Sequence, residues 1–168
     1  MNTLTRILVQ VLALLPLIAC AAASARELRG VVSHVTDGDT IWVRPAGGPA
    51  VPVRLQGIDA PEICQAFGRQ SRDALAARLL RRPVQVTIRA RDIHHRSVGR
   101  VELQGQDVGA WLVAGGYAWS TRSRNRSDSY ADEQAQARQA GRGLWAAAAQ
   151  EPRLFRRRHG SCHEAASP

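Results

Sequence analysis

The sequence predicts a small α+β domain that is mainly β. Three observations predict it: short segments rich in β-branched and aromatic residues, turn residues between them, and one helical segment within the strand series. The chain has 168 residues, for which one domain is the default. Strands are expected at 28–35, 40–44, 51–58, 84–89 and 100–103. Five short strands with one helix between the third and fourth predict a Greek-key barrel, and the OB-fold has this strand count.

The first three strands are delimited by turn and loop residues. The first strand alternates in hydropathy and ends at Asp37-Gly38-Asp39, whose composition is that of a tight turn. The second strand, TIWVR, is rich in β-branched and aromatic side chains. The third contains Gly57, which is expected to mark a bulge or a close approach of the backbone.

About three helices are expected around these strands. They are predicted at 68–80, 107–114 and 130–140. The first has leucine and alanine at helical spacing, with arginine on the other positions. Asp107 is a suitable N-cap for the second, which ends at Gly115-Gly116.

Residues 1–25 have the composition of a signal peptide. The apolar core is too short to cross a membrane and is followed by small residues. Cleavage after Ala25 would leave a soluble periplasmic or secreted protein. Cleavage before Cys20, in a segment like a lipobox, would leave a membrane-anchored lipoprotein. The domain is then expected at 26–150 and a basic tail at 151–168.

The chain is strongly basic, with a formal net charge of +9 from 23 basic residues. All of them are arginine, which fits either the composition of a GC-rich genome or phosphate recognition by guanidinium groups. Such a domain attracts polyanions, of which nucleic acid is the commonest. In an oxidising compartment, Cys64 and Cys162 are expected to form one disulfide, although two free thiols remain the alternative.

Acidic residues gather at the predicted strand ends. Asp37, Asp39, Asp59 and Glu62 all fall there or in the adjoining loops. Carboxylates collect hard divalent cations, while strand alternation turns Arg54 away from its apolar neighbours. A guanidinium beside carboxylates can stabilise the charge that builds on a phosphoryl group, which points to metal-assisted phosphodiester cleavage. An ordinary turn at 37–39 and a plain loop exit at 59–62 remain the alternatives.

An ordered series of motifs along the chain resembles the staphylococcal nuclease-like family. The motifs are VTDGDT at 35–40, VRLQGIDAPE at 53–62, FG at 67–68, VGR at 98–100, GGYAW at 115–119, Tyr130 with Glu133, and GLW at 143–145. The resemblance covers 28–145, and it implies an OB barrel with three helices.

The resemblance also implies a calcium site. Asp39 and Asp59 would supply carboxylate ligands, and Ala60 would supply its backbone carbonyl. The family often has threonine at the position of Ala60, and a carbonyl ligand tolerates that change. Asp37 and Thr40 match residues that support the metal ligands.

The catalytic residues implied by the resemblance are Glu62, Arg54 and Arg100. Glu62 would orient or deprotonate the attacking water, and the two arginines would grip the phosphate. Arg100 would also lie near the leaving 5′-oxygen. The implied activity is calcium-dependent hydrolysis of single-stranded DNA and RNA by a monomer, leaving 3′-phosphate ends.

Two departures from the family pattern concern substrate grip. Tyrosines that stack on nucleotides are replaced by Val98 and Arg122. Stacking is worth about 1–3 kcal/mol per base, so weaker base preference and steeper salt dependence are expected. A catalytically silent nucleic-acid-binding barrel is the main alternative function, and a lipid-anchored protein that binds polyanionic wall polymers is another.

Overall fold

The computed structural model of the protein describes residues 26–121, 130–160 and 162. The predicted signal peptide with Cys20 lies outside these residues, as does Arg122. In the described part of the chain, no helix is long and apolar enough to cross a membrane.

The described residues form eight strands, four α-helices and one 3₁₀ turn. The strands are β1 Arg26–Asp37, β2 Thr40–Arg44, β3 Val51–Leu55, β4 Ile58–Asp59, β5 Pro83–Arg91, β6 Ser97–Leu103, β7 Gln106–Asp107 and β8 Trp119–Ser120. The helices are α1 Gly68–Leu79, α2 Val108–Ala114, α3 Ala131–Gln139 and α4 Pro152–His159, and the 3₁₀ turn is Gly143–Ala146.

Five of these strands close into a mixed barrel. β1 pairs antiparallel with β2 and with β5, while β2 pairs with β3 and β5 with β6 in the same sense. The barrel closes where β3 runs parallel to β6, with Val53 opposite Ser97. The structure therefore confirms the predicted five-stranded, OB-fold-like barrel of the α+β class, with one helix more than the three expected.

The barrel core follows from strand alternation. Ile41 and Val43 of β2 point inward and have no exposed surface, while the residue between them is exposed. Val53 and Leu55 do the same in β3, which places Arg54 on the outer face. The inner face of α1 covers one end of this core with two fully buried leucines, Leu75 and Leu79.

Four of the five predicted strands differ from the observed ones at their ends, and two of them, the first and the fourth, are longer on both sides, at Arg26–Asp37 and Pro83–Arg91. The third strand stops at Leu55, because Gly57 has a φ of 80°, and the chain turns before β4 pairs with β8. The fifth strand begins at Ser97 rather than at Arg100. The turn before it closes early, since the Asp92 carboxylate accepts hydrogen bonds from the backbone N–H groups of His94 and Arg96, both 2.9 Å long.

The basic segment after Glu151 carries helix α4, which is fastened to the loop that follows β4. Cys64 and Cys162 form the expected disulfide, with 5.8 Å between their Cα atoms. The Gln65 side-chain amide donates to the carbonyl of Gln150 at 2.6 Å, and Pro152 at the start of α4 is buried. These contacts bring the end of the chain beside the acidic residues.

Candidate active site

The turn between β1 and β2 places Asp39 inside the protein. The backbone N–H of Asp39 donates to the carboxylate of Asp37 at 3.0 Å, which is the arrangement of an Asx turn. Asp39 is 1% exposed, and its Oδ1 accepts from the hydroxyl of Thr40 at 3.1 Å. The Asx turn therefore fixes the backbone of Asp39 and, with it, the position of its buried carboxylate.

Arg54 joins two of the predicted carboxylates. It lies opposite Thr40 in the β2–β3 register, which brings its side chain to the turn. One terminal nitrogen donates to Asp39 Oδ1, and the other donates to Asp59 Oδ1 at 2.9 Å. Asp39 and Asp59 thus converge on a single guanidinium group.

Asp59 and Ala60 reach the same place from β4. The chain turns at Gly57, and Asp59 then pairs with Trp119 of β8 and is largely buried. The backbone N–H of Ala60 donates to Asp39 Oδ2 at 2.9 Å. The observed contact of Ala60 is made by its N–H group and fixes Asp39, whereas the sequence pointed to its carbonyl.

Glu62 lies in the loop after β4, where Gln65 fixes the backbone. The Glu62 N–H donates to the Gln65 side chain at 3.2 Å, and the Gln65 N–H donates to the Glu62 carbonyl at 2.8 Å. The Glu62 carboxylate accepts from Arg156 of α4 at 2.8 Å. The same guanidinium donates to both oxygens of Asp59, at 3.1 and 2.9 Å.

The electrostatics of the cluster follow from burial and proximity. Burial raises the pKa of Asp39 to about 8, against the lowering effect of the Arg54 charge. Burial opposes the charge on Arg54, but Asp39 and Asp59 outweigh it and raise the pKa of Arg54. The pKa of Arg156 is also raised, first by its hydrogen bond to Asp59. The acids therefore form a site at which a positive charge is stabilised.

The structure brings Arg96, and not Arg100, beside the turn that holds Asp39. The Nε atom of Arg100 lies 3.2 Å from Glu102 and 3.1 Å from Asp107, and the side chain is more than half exposed. Arg96 donates to the Thr40 hydroxyl at 3.3 Å and to Asp92 at 2.7 Å.

A cleft of about 330 Å³ opens beside these groups. Its lining includes Arg54, Asp59, Asp92, Val98 and Arg156. Val98 lies opposite Arg54 in the parallel pairing of β3 and β6. The cleft therefore offers carboxylates and guanidinium groups together, with an aliphatic side chain where the resemblance leads one to expect a tyrosine.

The donor set fits a hard divalent cation. Within the described ranges, no three acidic, histidine or cysteine side chains gather into a preformed metal cluster. However, the oxygens of Asp39, Asp59 and Glu62 are of the kind that calcium and magnesium prefer. A guanidinium already lies between Asp59 and Glu62, so this position accepts a cation.

The sequence did not place two arginines of the cluster beside the acids. Arg96 follows Asp92 in a turn, where His95 has a φ of 60°, and its side chain reaches the Thr40 hydroxyl. Arg156 lies in the segment described as a basic tail. The predicted Cys64–Cys162 disulfide could have placed this segment near the site, because Cys64 is two residues from Glu62.

The fold is a small barrel domain that brings carboxylate oxygens and guanidinium groups together in one cluster. The family model described as staphylococcal nuclease homologue matches residues 52–147, more than half of the chain. The chain belongs to the staphylococcal nuclease family, which confirms the resemblance. The match covers Arg54, Asp59 and Glu62 but begins after Asp39.

Individual relatives agree with the family match. A micrococcal nuclease of Shigella flexneri is 37% identical over 143 residues, covering 78% of this chain and 82% of the relative. A protein of Escherichia coli O157:H7 described as an uncharacterized endonuclease is 38% identical, over 71% of this chain and 78% of its own length. A Haemophilus influenzae protein with the same description is 33% identical, and the matched part spans 65% of its length.

Proposed function

We propose that this protein is an endonuclease that uses calcium to hydrolyse phosphodiester bonds of single-stranded DNA and RNA. The observation that carries the proposal is the convergence of Asp39 and Asp59 on Arg54, with Glu62 beside them. Membership of the staphylococcal nuclease family supports nuclease activity. The choice of calcium, the two substrates and the 3′-phosphate ends follow from the resemblance.

Each residue of the cluster has one proposed role: to bind the metal, to activate the water or to stabilise the phosphate. Asp39 and Asp59, with the carbonyl of Ala60, would hold the calcium ion. When bound, the ion would supply positive charge to the phosphoryl oxygens. Glu62 takes a proton from water, whose oxygen attacks phosphorus as the bond to the 5′-oxygen breaks. The 5′-oxygen takes a proton from solvent and leaves as a hydroxyl, and the phosphate stays on the 3′ side. Arg54 stabilises the negative charge that builds on the phosphoryl group.

We assign the second phosphate contact to Arg96 in preference to Arg100. Both arginines form ion pairs, Arg96 with Asp92 and Arg100 with Glu102 and Asp107. Arg96 is preferred because it also donates to the Thr40 hydroxyl, next to Asp39. Replacing Arg96 with glutamine is therefore expected to lower kcat/KM by about 100-fold, a loss typical of one transition-state donor. The same change at Arg100 is expected to leave kcat/KM within about threefold. The opposite order would restore the assignment to Arg100.

The test of the proposal is hydrolysis of single-stranded DNA by the purified protein with calcium, with a chelator, and with Glu62→Gln. Activity should require calcium and fall steeply in the variant. Glu27→Gln serves as the matched control, because Glu27 is exposed and pairs with Arg29. Folded protein that binds DNA but cleaves none of it under these conditions would refute the nuclease function.

One observation favours a second candidate, a barrel that binds nucleic acid without cleaving it. Asp39, Asp59 and Glu62 all form ion pairs with arginines, as carboxylates with a purely structural role would. In that case calcium would alter neither DNA affinity nor melting temperature. The hydrolysis assay and a calcium titration together separate the two functions.

We further propose that the protein is exported and works as a monomer. The composition of residues 1–25 supports export, and the Cys64–Cys162 disulfide suits an oxidising compartment. Cell fractionation and the mass of the mature N-terminus would separate a soluble form beginning at Arg26 from a form lipidated at Cys20. Detection of the uncleaved chain in the cytoplasm alone would contradict export.

A further inference from the structure

Arg156 is the residue of the acidic cluster that no sequence motif explains. One terminal nitrogen donates to Asp59 Oδ1 at 3.1 Å and to Glu62 Oε1 at 2.8 Å, and the other donates to Asp59 Oδ2 at 2.9 Å. Bidentate contacts of this kind are among the strong hydrogen bonds of proteins. Arg156 therefore forms hydrogen bonds with Asp59, which is proposed to bind the metal, and with Glu62, which is proposed to activate water.

A metal ion that binds Asp59 competes with two arginines for its carboxylate oxygens. Both oxygens of Asp59 accept from guanidinium groups, as Oδ1 receives Arg54 and Arg156 and Oδ2 receives Arg156. Both oxygens of Asp39 are also occupied, by Arg54, by the Thr40 hydroxyl and by a backbone N–H. A cation that binds here therefore competes with the guanidinium groups and is opposed by their positive charge.

Arg156 is better placed to withdraw than Arg54. Arg54 belongs to a barrel strand, lies between the buried Val53 and Leu55, and bridges two carboxylates. Arg156 belongs to the surface helix α4, and its side chain is 31% exposed, compared with 22% for Arg54. The displacement of Arg156 leaves the barrel and its pairing unchanged.

The anchoring of α4 keeps a displaced Arg156 close to the site. The Cys64–Cys162 disulfide fixes the helix after its last turn, and the hydrogen bond between Gln65 and Gln150 fixes the chain before its first. The residues to which α4 is fastened, Cys64 and Gln65, lie within three residues of Glu62. A guanidinium held in this way remains beside any phosphate that approaches the carboxylates.

We propose that Arg156 is a third arginine of the active site, which holds Asp59 and Glu62 until the metal binds and then contacts the phosphate of the substrate. The proposal rests on the calcium-dependent nuclease function proposed above. In the first state Arg156 competes with the metal for Asp59. In the second it adds positive charge where the phosphoryl oxygens become more negative.

Calcium binding without nucleic acid tests the first state. Titration calorimetry on the whole protein should show that Arg156→Gln binds calcium about tenfold more tightly, because the variant has lost a charge-assisted competitor. Arg157→Gln is the matched control, since it removes the same charge from an exposed position of the same helix. Unchanged or weaker calcium binding by Arg156→Gln would overturn the proposal.

Steady-state kinetics at saturating calcium test the second state. Arg156→Gln should raise the KM for single-stranded DNA about fivefold or more, the scale of one lost guanidinium–phosphate contact. Arg157→Gln should change it by no more than about twofold. A KM that is equal in Arg156→Gln and in the wild type would overturn the phosphate contact.

Melting temperatures separate this role from a purely structural one. In a chelator, Arg156→Gln should melt lower than the wild type, and calcium should close most of the difference. Equal lowering with and without calcium would overturn the proposal. If the glutamine variant does not fold, Arg156→Lys replaces it, because lysine keeps the positive charge but lacks the planar guanidinium that contacts two oxygens at once. This variant should bind calcium more tightly than the wild type, by less than about tenfold. No tightening would overturn the proposal.

The same experiments distinguish failure of this inference from failure of the nuclease function. A wild-type protein that binds calcium and cleaves DNA, with no change in Arg156→Gln, refutes the role of Arg156 alone. A wild-type protein that neither binds calcium nor cleaves DNA, and an Arg156→Gln variant that does neither, refute both.

Discussion

Replacing both cysteines of the Cys64–Cys162 disulfide with serine is expected to destabilise the whole domain and not only helix α4. The bond joins residues 98 positions apart, so it restrains most of the unfolded chain. Helix α4 is also linked to the barrel by the ion pairs of Arg156 and by the buried Pro152. Helix and barrel should therefore unfold together.

The size of the effect follows from the length of the closed loop. For a loop of about 100 residues, the chain-entropy description gives about 4.7 kcal/mol. A loss of about 4 kcal/mol is expected, because the unfolded chain without the bond remains more compact than a random coil. This is a large share of the roughly 5–15 kcal/mol that stabilises a typical domain.

Urea unfolding followed by tryptophan fluorescence measures this loss. Trp119 and Trp145 lie with ring centroids 5.4 Å apart and report on the contact between β8 and the 3₁₀ turn. For a slope near 2 kcal/mol/M, the midpoint should fall by about 2 M. Wild-type protein in a reductant should show the same shift. A loss below about 1 kcal/mol with an unchanged slope would mean that α4 melts separately, and would refute the reasoning.

Three further substitutions test the ion pairs and hydrogen bonds of the fold. Arg54→Met should cost about 2–3 kcal/mol in urea unfolding, below the 3–5 kcal/mol of a fully buried pair, because the Arg54 side chain is 22% exposed. No loss of stability would contradict the role of Arg54 as the bridge. Burial raises the pKa of Asp92, but hydrogen bonds from Arg96 and His94 outweigh it and lower that pKa below its ordinary 3.8. The substitution Asp92→Asn should therefore cost about 1 kcal/mol of unfolding free energy near pH 7. That difference should be present above pH 4 and vanish as the pH falls through the lowered pKa, and a cost that persists at pH 2 would refute the linkage. Tyr130→Phe removes a hydroxyl that lies 3.0 and 3.2 Å from the two oxygens of the Asp107 carboxylate. It should lower the unfolding free energy by about 1 kcal/mol. The control is Tyr117→Phe, on a ring stacked against Trp111, which should change the unfolding free energy by less than about 0.5 kcal/mol.

The barrel could be predicted because its strands carry their own signals. The segment 40–44 is rich in β-branched residues and contains one aromatic residue, and the structure has the strand with the same limits. The predicted third strand overran because Leu55 and Ile58 read as one apolar segment. The break between them depends on the φ of Gly57, which permits a turn as readily as a bulge.

The carboxylates and Arg54 could be placed from motifs, whereas Arg96 and Arg156 could not be assigned to the cluster. Asp39 lies in the turn between β1 and β2, so its position depends on the pairing of neighbouring strands, and Asp59 follows Arg54 closely in one motif. With 23 arginines in the chain, composition gives no means of choosing which ones meet the acids. Arg96 is selected by the exact residue at which a turn closes, and Arg156 by a disulfide between distant parts of the chain. Both are set by tertiary contacts.

The parallel pairing of β3 with β6 has a consequence for how the chain folds. The hairpin of β2 and β3 brings Arg54 to Thr40 through local contacts, early in folding. The pairing of Val53 with Ser97 requires closure of a loop of more than forty residues, which is slow because the loss of chain entropy precedes the gain in contacts. Arg156 arrives from still farther along the sequence. A partly folded chain therefore carries isolated pieces of the cluster, and the cleft becomes complete only when the barrel does.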